Sequence, residues 1–295
     1  MTTDALGTRM KEYYEDRYRI SLPRRSNVII RVDGRSFHTF TKGMKKPFDV
    51  AFAEDMDATA KYLCENIQGA KMSFVQSDEI SIWLTDYDDI KTDAWFDYNI
   101  QKMCSIAAAL ATAKFNEMRL KRGLKIMEDL REPDELFLNW DKQKLAMFDA
   151  RVFVIPSIDE VVNYFIWRQQ DATRNSISMA AQSMYSPKEL HGKTSKEEQE
   201  MMFQKGTNWN DYPIRFKRGH ACIRIEKTFK RQKGERGPGK ELTPSEAWEI
   251  LETIQHKGIE NVDVEVYKRS SWVADERTPV FTQDKNYIER LSPEK

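Results

Sequence analysis

Short apolar runs, two of which stop at acidic residues, organise the first half of the chain. Four such runs predict buried strands, at residues 27–32, 71–76, 79–84 and 151–155. The first run ends in Asp33-Gly34 and the second in Ser77-Asp78. Because the third run starts directly after Asp78, the second and third strands are predicted to form a hairpin with a tight turn.

Longer segments with helical spacing of apolar residues separate these strands. They predict helices over 8–25, 50–67, 93–118, 158–184 and 246–257, the last capped by Ser245. A further strand is predicted at 219–229, with charged or glycine-rich loops at 119–148 and 232–240.

The element order β-α-β-β-α-β predicts an α+β protein with a ferredoxin-like core. In that arrangement the first and second strands run parallel through a right-handed crossover, and the third lies antiparallel between them. The ends of the first and second strands then fall at one edge of the sheet. The topology therefore predicts that Asp33 and Asp78 lie close together, despite their separation in sequence.

The second half of the chain differs in character from the first. We expect a catalytic core at 1–157, and a helical and C-terminal region at 158–295 packed on it. Within 205–240 there are eleven Lys and Arg residues against three Asp and Glu, with aromatic residues interleaved. Basic and aromatic residues together favour a nucleic-acid surface, although a solvated charged face is the commoner meaning of such a run.

Composition narrows the class of protein only modestly. The 295 residues include 40% hydrophobic residues, enough for a core, and 47 basic residues balance 47 acidic ones, so net charge says nothing about partners. Three scattered cysteines and four histidines argue against a disulfide framework or a zinc centre. No apolar run predicts a signal peptide or a membrane span, which favours a cytoplasmic location.

The pair Asp33 and Asp78 carries the leading chemical hypothesis. Two carboxylates at one sheet edge are suited to hold divalent metals against a triphosphate, and Gly34 allows the backbone to approach closely. Backbone N–H groups of the segment Gly34-Arg35-Ser36-Phe37-His38 are candidates for a phosphate nest. The alternative is that Asp-Gly is ordinary turn chemistry.

Several neighbouring residues are further candidates, and the sequence allows two roles for each. Glu79 is either an auxiliary acidic group or a solvated one, and the Ser77 hydroxyl serves either a phosphate or the turn. Lys46 and Lys102 are either triphosphate-binding cations or solvated lysines. His38 is either a phosphate donor or proton shuttle, or a hydrogen-bonded structural histidine, which is the more common case.

The helix at 158–184 carries an unusually polar stretch in its second half. At helical spacing, Arg168, Asp171 and Asn175 share one face. Such a face is suited to a nucleobase or a terminal phosphate, and equally to an internal network of ion pairs and amides.

Together these motifs resemble the tRNA-histidine guanylyltransferase family. Arg31-Val32-Asp33-Gly34-Arg35-Ser36-Phe37-His38-Thr39-Phe40 is similar to its first metal motif, and Gln76-Ser77-Asp78-Glu79 to its second. Trp167-Arg168-Gln169-Gln170-Asp171 resembles the segment leading into its third motif, and Phe281-Thr282-Gln283-Asp284 its C-terminal segment. The motifs occur in the family's order across nearly the whole chain.

The resemblance implies a polymerase-like palm domain that extends RNA in the 3′–5′ direction. It implies that Asp33, the Gly34 carbonyl and Asp78 hold two Mg²⁺ ions, with Glu79 supporting the site. It further implies ATP or GTP as activating nucleotide, NTP substrates, tRNA as partner, and a homotetramer. Lys46, Ser77 and Lys102 match positions associated with nucleotide handling, and Asn175 matches an asparagine of the third motif.

One departure from the family pattern shapes the expected reaction. Eukaryotic members carry His-Ile-Asn-Asn-Leu-Tyr-Asn in the third motif, where this chain has Thr173-Arg174-Asn175-Ser176-Ile177-Ser178-Met179. The missing His and Tyr resemble the bacterial or phage-type branch, and favour templated repair of tRNA 5′ ends. The alternatives are untemplated guanosine addition to tRNA-histidine, a palm-type nucleotidyl cyclase, and a non-catalytic RNA-binding module.

Overall fold

A computed structural model describes residues 4–129, 144–234, 236–237, 239–257 and 264–293. The chain divides into two compact units. The first comprises Met1–Cys222 and Ala274–Lys295, and the second comprises Ile223–Val273. These boundaries differ from the one expected at residue 157. That expected boundary separates the residues that carry catalysis from the rest, so it stays a prediction.

Antiparallel pairing builds the sheet of the first unit. The strands of the chain are β1 (Asn27–Gly34), β2 (Ala70–Gln76), β3 (Glu79–Leu84), β4 (Phe148–Ile155), β5 (His220–Gln232), β6 (Lys240–Glu241) and β7 (Val264–Ala274). In the first unit the order is β4-β1-β3-β2, and the start of β5 follows β2. Strand β3 lies between β1 and β2 and is antiparallel to both, as the sequence predicts.

Ten α-helices are assigned within the described residues. They are α1 (Ala5–Met10), α2 (Phe37–Phe40), α3 (Val50–Asn66), α4 (Ile100–Asp129), α5 (Ile158–Gln182), α6 (Pro187–Leu190), α7 (Ser195–Gln204), α8 (Ile214–Arg218), α9 (Pro244–Lys257) and α10 (Asn286–Glu289). Side-chain caps explain two of the starts: Asp49 accepts a hydrogen bond from Phe52 N–H at α3, and Ser157 accepts one from Glu160 N–H at α5.

The two faces of this sheet are covered by different helices. Helices α3 and α4 pack on one face, where alternate residues of β1 and β3 join a single apolar core: Val28, Ile30, Val32, Ile80, Ile82 and Leu84. Helix α5 packs on the other face, with Phe165 against Phe74 and Tyr164 against Phe153. Burial on both faces explains why β1 and β3 appear in the sequence as continuous apolar runs.

Four expectations about secondary structure need correction. The loop expected at 119–148 is wrong over 119–129, where α4 continues, and residues 130–143 lie outside the described part of the chain. The helix expected over 8–25 stops earlier, since helical structure ends at Tyr18. Helix α9 begins after Thr243, which forms reciprocal hydrogen bonds with Glu246, so Ser245 is not its cap. Strand β7 was not predicted.

In its described residues, the second unit is a small sheet with one helix. Within Ile223–Val273, strand β5 pairs with both β6 and β7, and Phe229 stacks on Tyr267 with ring centroids 5.9 Å apart. The basic segment expected near 205–240 crosses the boundary between the two units at residue 222, so its two parts belong to separate units.

Candidate active site

Asp33 and Asp78 meet at the edge where β1 ends and the β2–β3 turn begins. Asp33 pairs with Glu79 in the β1–β3 ladder, and the N–H of Gly34 donates to the carbonyl oxygen of Asp78 at 3.1 Å. Antiparallel register therefore places the two aspartates side by side, although 45 positions separate them in sequence.

Backbone geometry explains the residue types around this edge. The turn holds only two residues, and Ser77 adopts a left-handed conformation with φ of 48°, which non-glycine residues rarely occupy. A Cβ at position 34 would lie 2.4 Å from the ring of Phe37, so only glycine fits there. Phe37 in turn is buried among Phe40, Phe52, Phe115 and Phe148, which fixes the chain directly after the first aspartate.

The carboxyl group of Asp78 is held in an environment that disfavours its charge. Burial, together with the negative charges of Asp33 and Glu79, raises its pKa to about 6, against hydrogen bonds that lower it. None of the described Lys, Arg or His side chains forms an ion pair with Asp78, and Asp33 has only Arg151, at 3.8 Å. The edge therefore carries negative charge that the protein itself leaves uncompensated.

This donor set fits a hard divalent cation. Carboxylate and backbone carbonyl oxygens are the ligands that Mg²⁺ prefers, and a cation would relieve the repulsion between Asp33 and Asp78. Within the described residues there is no cluster of three or more His, Cys, Asp and Glu side chains suited to a metal. A metal at this edge would therefore be held by two carboxylates, with a backbone oxygen such as that of Gly34 and further ligands from substrate.

Glu79 lies on the same sheet face as its ladder partner Asp33, and there it enters an ion-pair network with α5. Arg168 donates from Nε to one carboxylate oxygen at 2.9 Å and from a terminal nitrogen to the other at 3.1 Å. Both side chains are almost fully buried. The solvated alternative for Glu79 is therefore wrong. Its two oxygens are engaged by Arg168, which favours a supporting role beside Asp78 over direct metal binding.

The three third-motif residues lie on one face of α5, as the spacing predicts. Arg168 donates to Asp171 at 2.7 Å, and Asn175 donates to the same carboxylate oxygen at 3.4 Å. Arg174 donates to the other oxygen of Asp171 at 2.8 Å. The internal-network alternative thus describes Arg168 and Asp171, while Asn175 remains exposed at the outer end. The network joins the third motif to Glu79.

The expected phosphate nest is smaller than the sequence suggests. The N–H groups of Gly34 and Arg35 donate to the carbonyls of Asp78 and Met147, so neither is free for a ligand. The N–H groups of Ser36, Phe37 and His38 open the short helix α2, where helix geometry leaves them without an intrahelical acceptor. Because the Phe37 ring is buried, a nucleotide-binding role is left only to its backbone.

The expected cationic residues separate into two places. Arg35, His38 and Lys46 are exposed, and none of their side chains bonds to another described residue, so the structural role expected for His38 is wrong. Phe52, in the first turn of α3, contacts Phe37, so the start of α3, six residues after Lys46, packs against the segment that follows Asp33. Lys102 does not come to the catalytic edge.

The position of Lys102 follows from how α4 is attached. Its first residue, Ile100, donates its N–H to Ile20, which precedes β1 and lies toward the opposite edge of the sheet. Phe148, beside Gly34 in the sheet, instead bonds to Thr112 of α4. Lys102 lies ten residues, about 15 Å of helix, before Thr112, so the fold does not bring it to Asp33 and Asp78.

A cavity of about 170 Å³ opens beside the first metal motif. Its lining residues are Arg35, Ser36, Thr39, Phe40, Lys144, Leu145, Ala146 and Met147. Arg35 and Lys144 are exposed cations. Their positive charge next to the aspartate pair suits an anionic ligand.

Sequence reasoning did not find the residues that hold Glu79. Ser81 donates to Glu79 at 3.2 Å and shares a hydrogen bond of 2.8 Å with the hydroxyl of Tyr164, while Arg31 lies 3.8 Å from Glu79. A signal existed, because Glu79 and Ser81 are polar residues two positions apart in an apolar strand and therefore share one face.

Comparison with known proteins decides the family. The family model described as tRNAHis guanylyltransferase (Thg1) matches residues 7–156, half of the chain. The chain belongs to the tRNAHis guanylyltransferase family. It is therefore a nucleotidyltransferase, and the non-catalytic alternative is excluded.

Solved and curated relatives support this placement. A bacterial Thg1-like protein in complex with ATP is 40% identical, with a TM-score of 0.72 over 97% of this chain and 99% of that one. The GTP complex of a bacterial Thg1-like protein is 39% identical, with a TM-score of 0.69 over 98% and 99% of the two chains. The tRNA(His) guanylyltransferase of Saccharomyces cerevisiae is 26% identical over 211 residues, 67% of this chain and 82% of that protein.

No helix among the described residues is long and apolar enough to cross a membrane. The family match and the acidic sheet edge lie within the first unit. The two solved bacterial relatives align with nearly the whole chain.

Proposed function

We propose that this enzyme repairs tRNAs that lack 5′ nucleotides, by templated nucleotide addition in the 3′–5′ direction. The observation that carries the proposal is the Asp33–Asp78 pair, whose negative charge the surrounding protein leaves uncompensated. It is supported by membership in a nucleotidyltransferase family, and by bacterial relatives solved with ATP and with GTP.

We assign the core of the first unit to a ferredoxin-like palm domain. The strand order β4-β1-β3-β2, with α3 and α4 on one face, is consistent with the split βαβ arrangement. Such a sheet presents its catalytic carboxylates at the ends of neighbouring strands, as Asp33 and Asp78 are here. The palm core then lies within 1–157, and the residues from 158 onward supply the third motif.

In this proposal Asp33, Asp78 and the Gly34 carbonyl hold two Mg²⁺ ions. When bound, these ions lower the pKa of an attacking hydroxyl and neutralise the charge that develops on phosphate oxygens. Asp78 must lose its proton to take part, and its raised pKa keeps proton and metal in competition for the same oxygens.

Other residues act on the ligands or on the aspartates. Arg168 fixes Glu79, whose charge and position hold the adjoining Asp78 turn in place. We propose that Ser77, Arg35 and the N–H groups of Ser36–His38 bind phosphate oxygens, and that Lys46 adds positive charge for the same ligand. Asp171 and Asn175 present polar groups from α5. Lys102 stays a candidate only for a part of the substrate that extends away from the aspartate edge.

The reaction has two phosphoryl-transfer stages. First, an oxygen of the tRNA 5′-monophosphate attacks the α-phosphorus of ATP, and pyrophosphate leaves. Second, the 3′-hydroxyl oxygen of an incoming nucleotide attacks the activated 5′ phosphorus, AMP leaves, and the hydroxyl proton passes to solvent. A 5′-triphosphorylated end enters directly at the second stage and releases pyrophosphate.

Template dependence is proposed from the third motif. Residues 173–179 lack the His and Tyr that eukaryotic guanylyltransferases carry there. Base pairing with the opposite acceptor strand can select the nucleotide without any side chain that reads the base. We further propose a homotetramer that binds tRNA through basic residues in 205–222, with the separate basic stretch 223–240 also contacting RNA.

The test is incubation with Mg²⁺, ATP, all four NTPs and a labelled tRNA that lacks its first nucleotide, beside full-length tRNA-histidine. We expect extension of the truncated tRNA that stops at a complete acceptor stem. A matched tRNA with the opposite template base changed should accept the new complementary nucleotide instead.

Two outcomes would contradict the proposal. Addition of a single G to full-length tRNA, whatever the opposite base, indicates untemplated guanylyl transfer. No addition to either tRNA, together with a cyclic nucleotide formed from NTP alone, indicates a cyclase.

A further inference from the structure

The short helix α8 lies beside the catalytic edge. It contacts helix α5 and strand β2. Gly219, directly after it, packs so closely on β2 that an added Cβ would lie 2.6 Å from the carbonyl oxygen of Val75. Because Val75 stands near the end of β2, directly before the turn that carries Asp78, α8 flanks that turn on the side away from β1.

One arginine of α8 is used to anchor the helix. Arg215 donates to Asp57 of α3 at 2.6 Å. The buried ring of His220 brings its Nε2 atom to 2.7 Å from the other oxygen of the same carboxylate. Arg215 therefore neutralises Asp57, and the charge of that carboxylate is not available to the next arginine along.

That next arginine, Arg218, is in a different situation. Its Nε atom is buried and has no hydrogen-bond partner among the described residues, and no described Asp or Glu forms an ion pair with the guanidinium. Burial lowers its pKa, with no acidic neighbour acting in the opposite direction. A half-buried cation whose Nε is shielded from water and which has no counter-charge is unfavourable, so its place beside this edge points to a negative ligand.

The chemistry of the ligand follows from the residue and its place. Guanidinium groups bind phosphate oxygens through paired N–H donors, and the site lies next to an edge that handles phosphates. No described carboxylate of the protein is the partner of Arg218, since the acid that α8 contacts, Asp57, is paired with Arg215.

We propose that Arg218 is a phosphate-binding residue of this edge, which takes a phosphate of the nucleotide or the 5′-phosphate of the RNA. The inference rests on the proposed function for the identity of the ligand. It is independent of the proposed chemistry, because phosphate binding is measurable without turnover.

The experiment is equilibrium binding in Mg²⁺ to wild type, Arg218→Ala and Arg218→Lys. The probes are ATP, and truncated tRNA with either a 5′-monophosphate or a 5′-hydroxyl. We expect Arg218→Ala to weaken one phosphate-dependent affinity by about tenfold to a hundredfold, and Arg218→Lys to recover part of it. Loss of ATP affinity assigns the nucleotide, and loss of the preference for 5′-phosphate assigns the RNA end.

Lys188→Ala is the matched control, since it removes an exposed positive charge from the same unit, outside the site. We expect it to leave both affinities within about twofold. Melting temperature is recorded for every variant, and Arg218→Ala should melt at or above wild type, because it removes an unpaired desolvated charge.

Equal binding of both probes by Arg218→Ala and Lys188→Ala would overturn the proposal. So would a loss of affinity in Arg218→Ala that goes with a lower melting temperature and is not recovered by lysine, since that pattern describes a structural arginine. If wild type binds these probes but adds no nucleotide to truncated tRNA, the proposed repair function fails while the binding result for Arg218 still stands.

Discussion

The two ends of strand β3 each carry a buried or half-buried aspartate, and the protein treats them in opposite ways. Asp86, just beyond the end of the strand, has a side chain with no exposed surface and accepts four hydrogen bonds. The donors are Arg24 Nε at 2.7 Å, the N–H groups of Arg25 and Ser26 at 3.0 and 3.1 Å, and the Tyr98 hydroxyl at 3.1 Å.

Asp78, at the other end, has no such set of donors. The two carboxyl groups therefore titrate in opposite directions. Burial would raise the pKa of Asp86, but the N–H of Arg25, Arg24 and its other donors bring it below the usual value. Burial and the neighbouring charges of Asp33 and Glu79 instead raise the pKa of Asp78 to about 6.

The difference separates a structural acid from a reactive one. At Asp86 the protein supplies every partner, so folding itself stabilises the charge. At Asp78 the described part of the protein supplies no cationic partner, so the stabilising positive charge must come from a ligand. Position along the strand does not distinguish them, because both lie at the ends of the same apolar strand.

The largest expected effect is on activity at the reactive end. Asp78→Asn keeps the shape of the side chain but removes its charge, so nucleotide addition should fall by on the order of a thousandfold or more. The measurement is the rate of addition to truncated tRNA, with Asp159→Asn, an exposed acid at the start of α5, as control. Activity of Asp78→Asn equal to that control would remove Asp78 from the metal site.

The next effect is on stability at the structural end. Asp86→Asn replaces a fourfold acceptor by a group with one carbonyl and two N–H donors, so it should lower the free energy of unfolding by about 2–4 kcal/mol. Urea denaturation measures this. Asp93→Asn is the matched control, because Asp93 also faces Arg24 but is 85% exposed, and should cost less than about 0.5 kcal/mol. Equal losses in the two variants would show that burial at Asp86 is unimportant.

The smallest effect is a difference in pH dependence, measured without metal in EDTA. The folded pKa of Asp78 lies above its unfolded value of about 3.9, so its contribution to stability is lost as pH rises through about 4 to 6. Between pH 4 and 7 wild type should therefore lose about 2–3 kcal/mol relative to Asp78→Asn.

Asp86 should show the opposite sign. Its folded pKa lies below the unfolded value, so its stabilising contribution is present above about pH 4 and lost as pH falls below that. The stability gap between wild type and Asp86→Asn should therefore stay constant from pH 5 to 7 and shrink in acid. Parallel pH profiles for the two variants would contradict the comparison between the two ends of β3.

Most elements of the core could be predicted from the sequence, because their signals are local. The apolar runs predict β1, β2 and β3 to within two residues of their observed ends, and the spacing after Asp49 predicts α3. Predictions failed where a charged surface hid a regular element, as along 119–129 of α4. They also failed where pairing between distant residues creates a strand, as at β7.

The same distinction between local signals and long-range contacts applies to the candidate site. The residue types and their order along the chain identify Asp33, Asp78 and the third motif, because acids at strand ends and polar residues at helical spacing are visible in the sequence. The partners of those residues are not visible there. That Glu79 pairs with Arg168 depends on which face of the sheet α5 covers. That Lys102 lies away from the aspartate edge depends on where along its length α4 is attached to the sheet.

The sequence by itself determined that this chain has an α+β core, an acidic strand edge and the ordered motifs of a nucleotidyltransferase family. Only the tertiary structure decided which charges are neutralised within the protein. In sequence Asp86 and Arg218 are ordinary charged residues, and Asp78 is marked only by its motif at a strand end. The difference among the three is the set of atoms that folding brings within hydrogen-bond distance. That set depends on the packing of distant segments, because electrostatic stabilisation acts over a few ångströms of space and not along the chain.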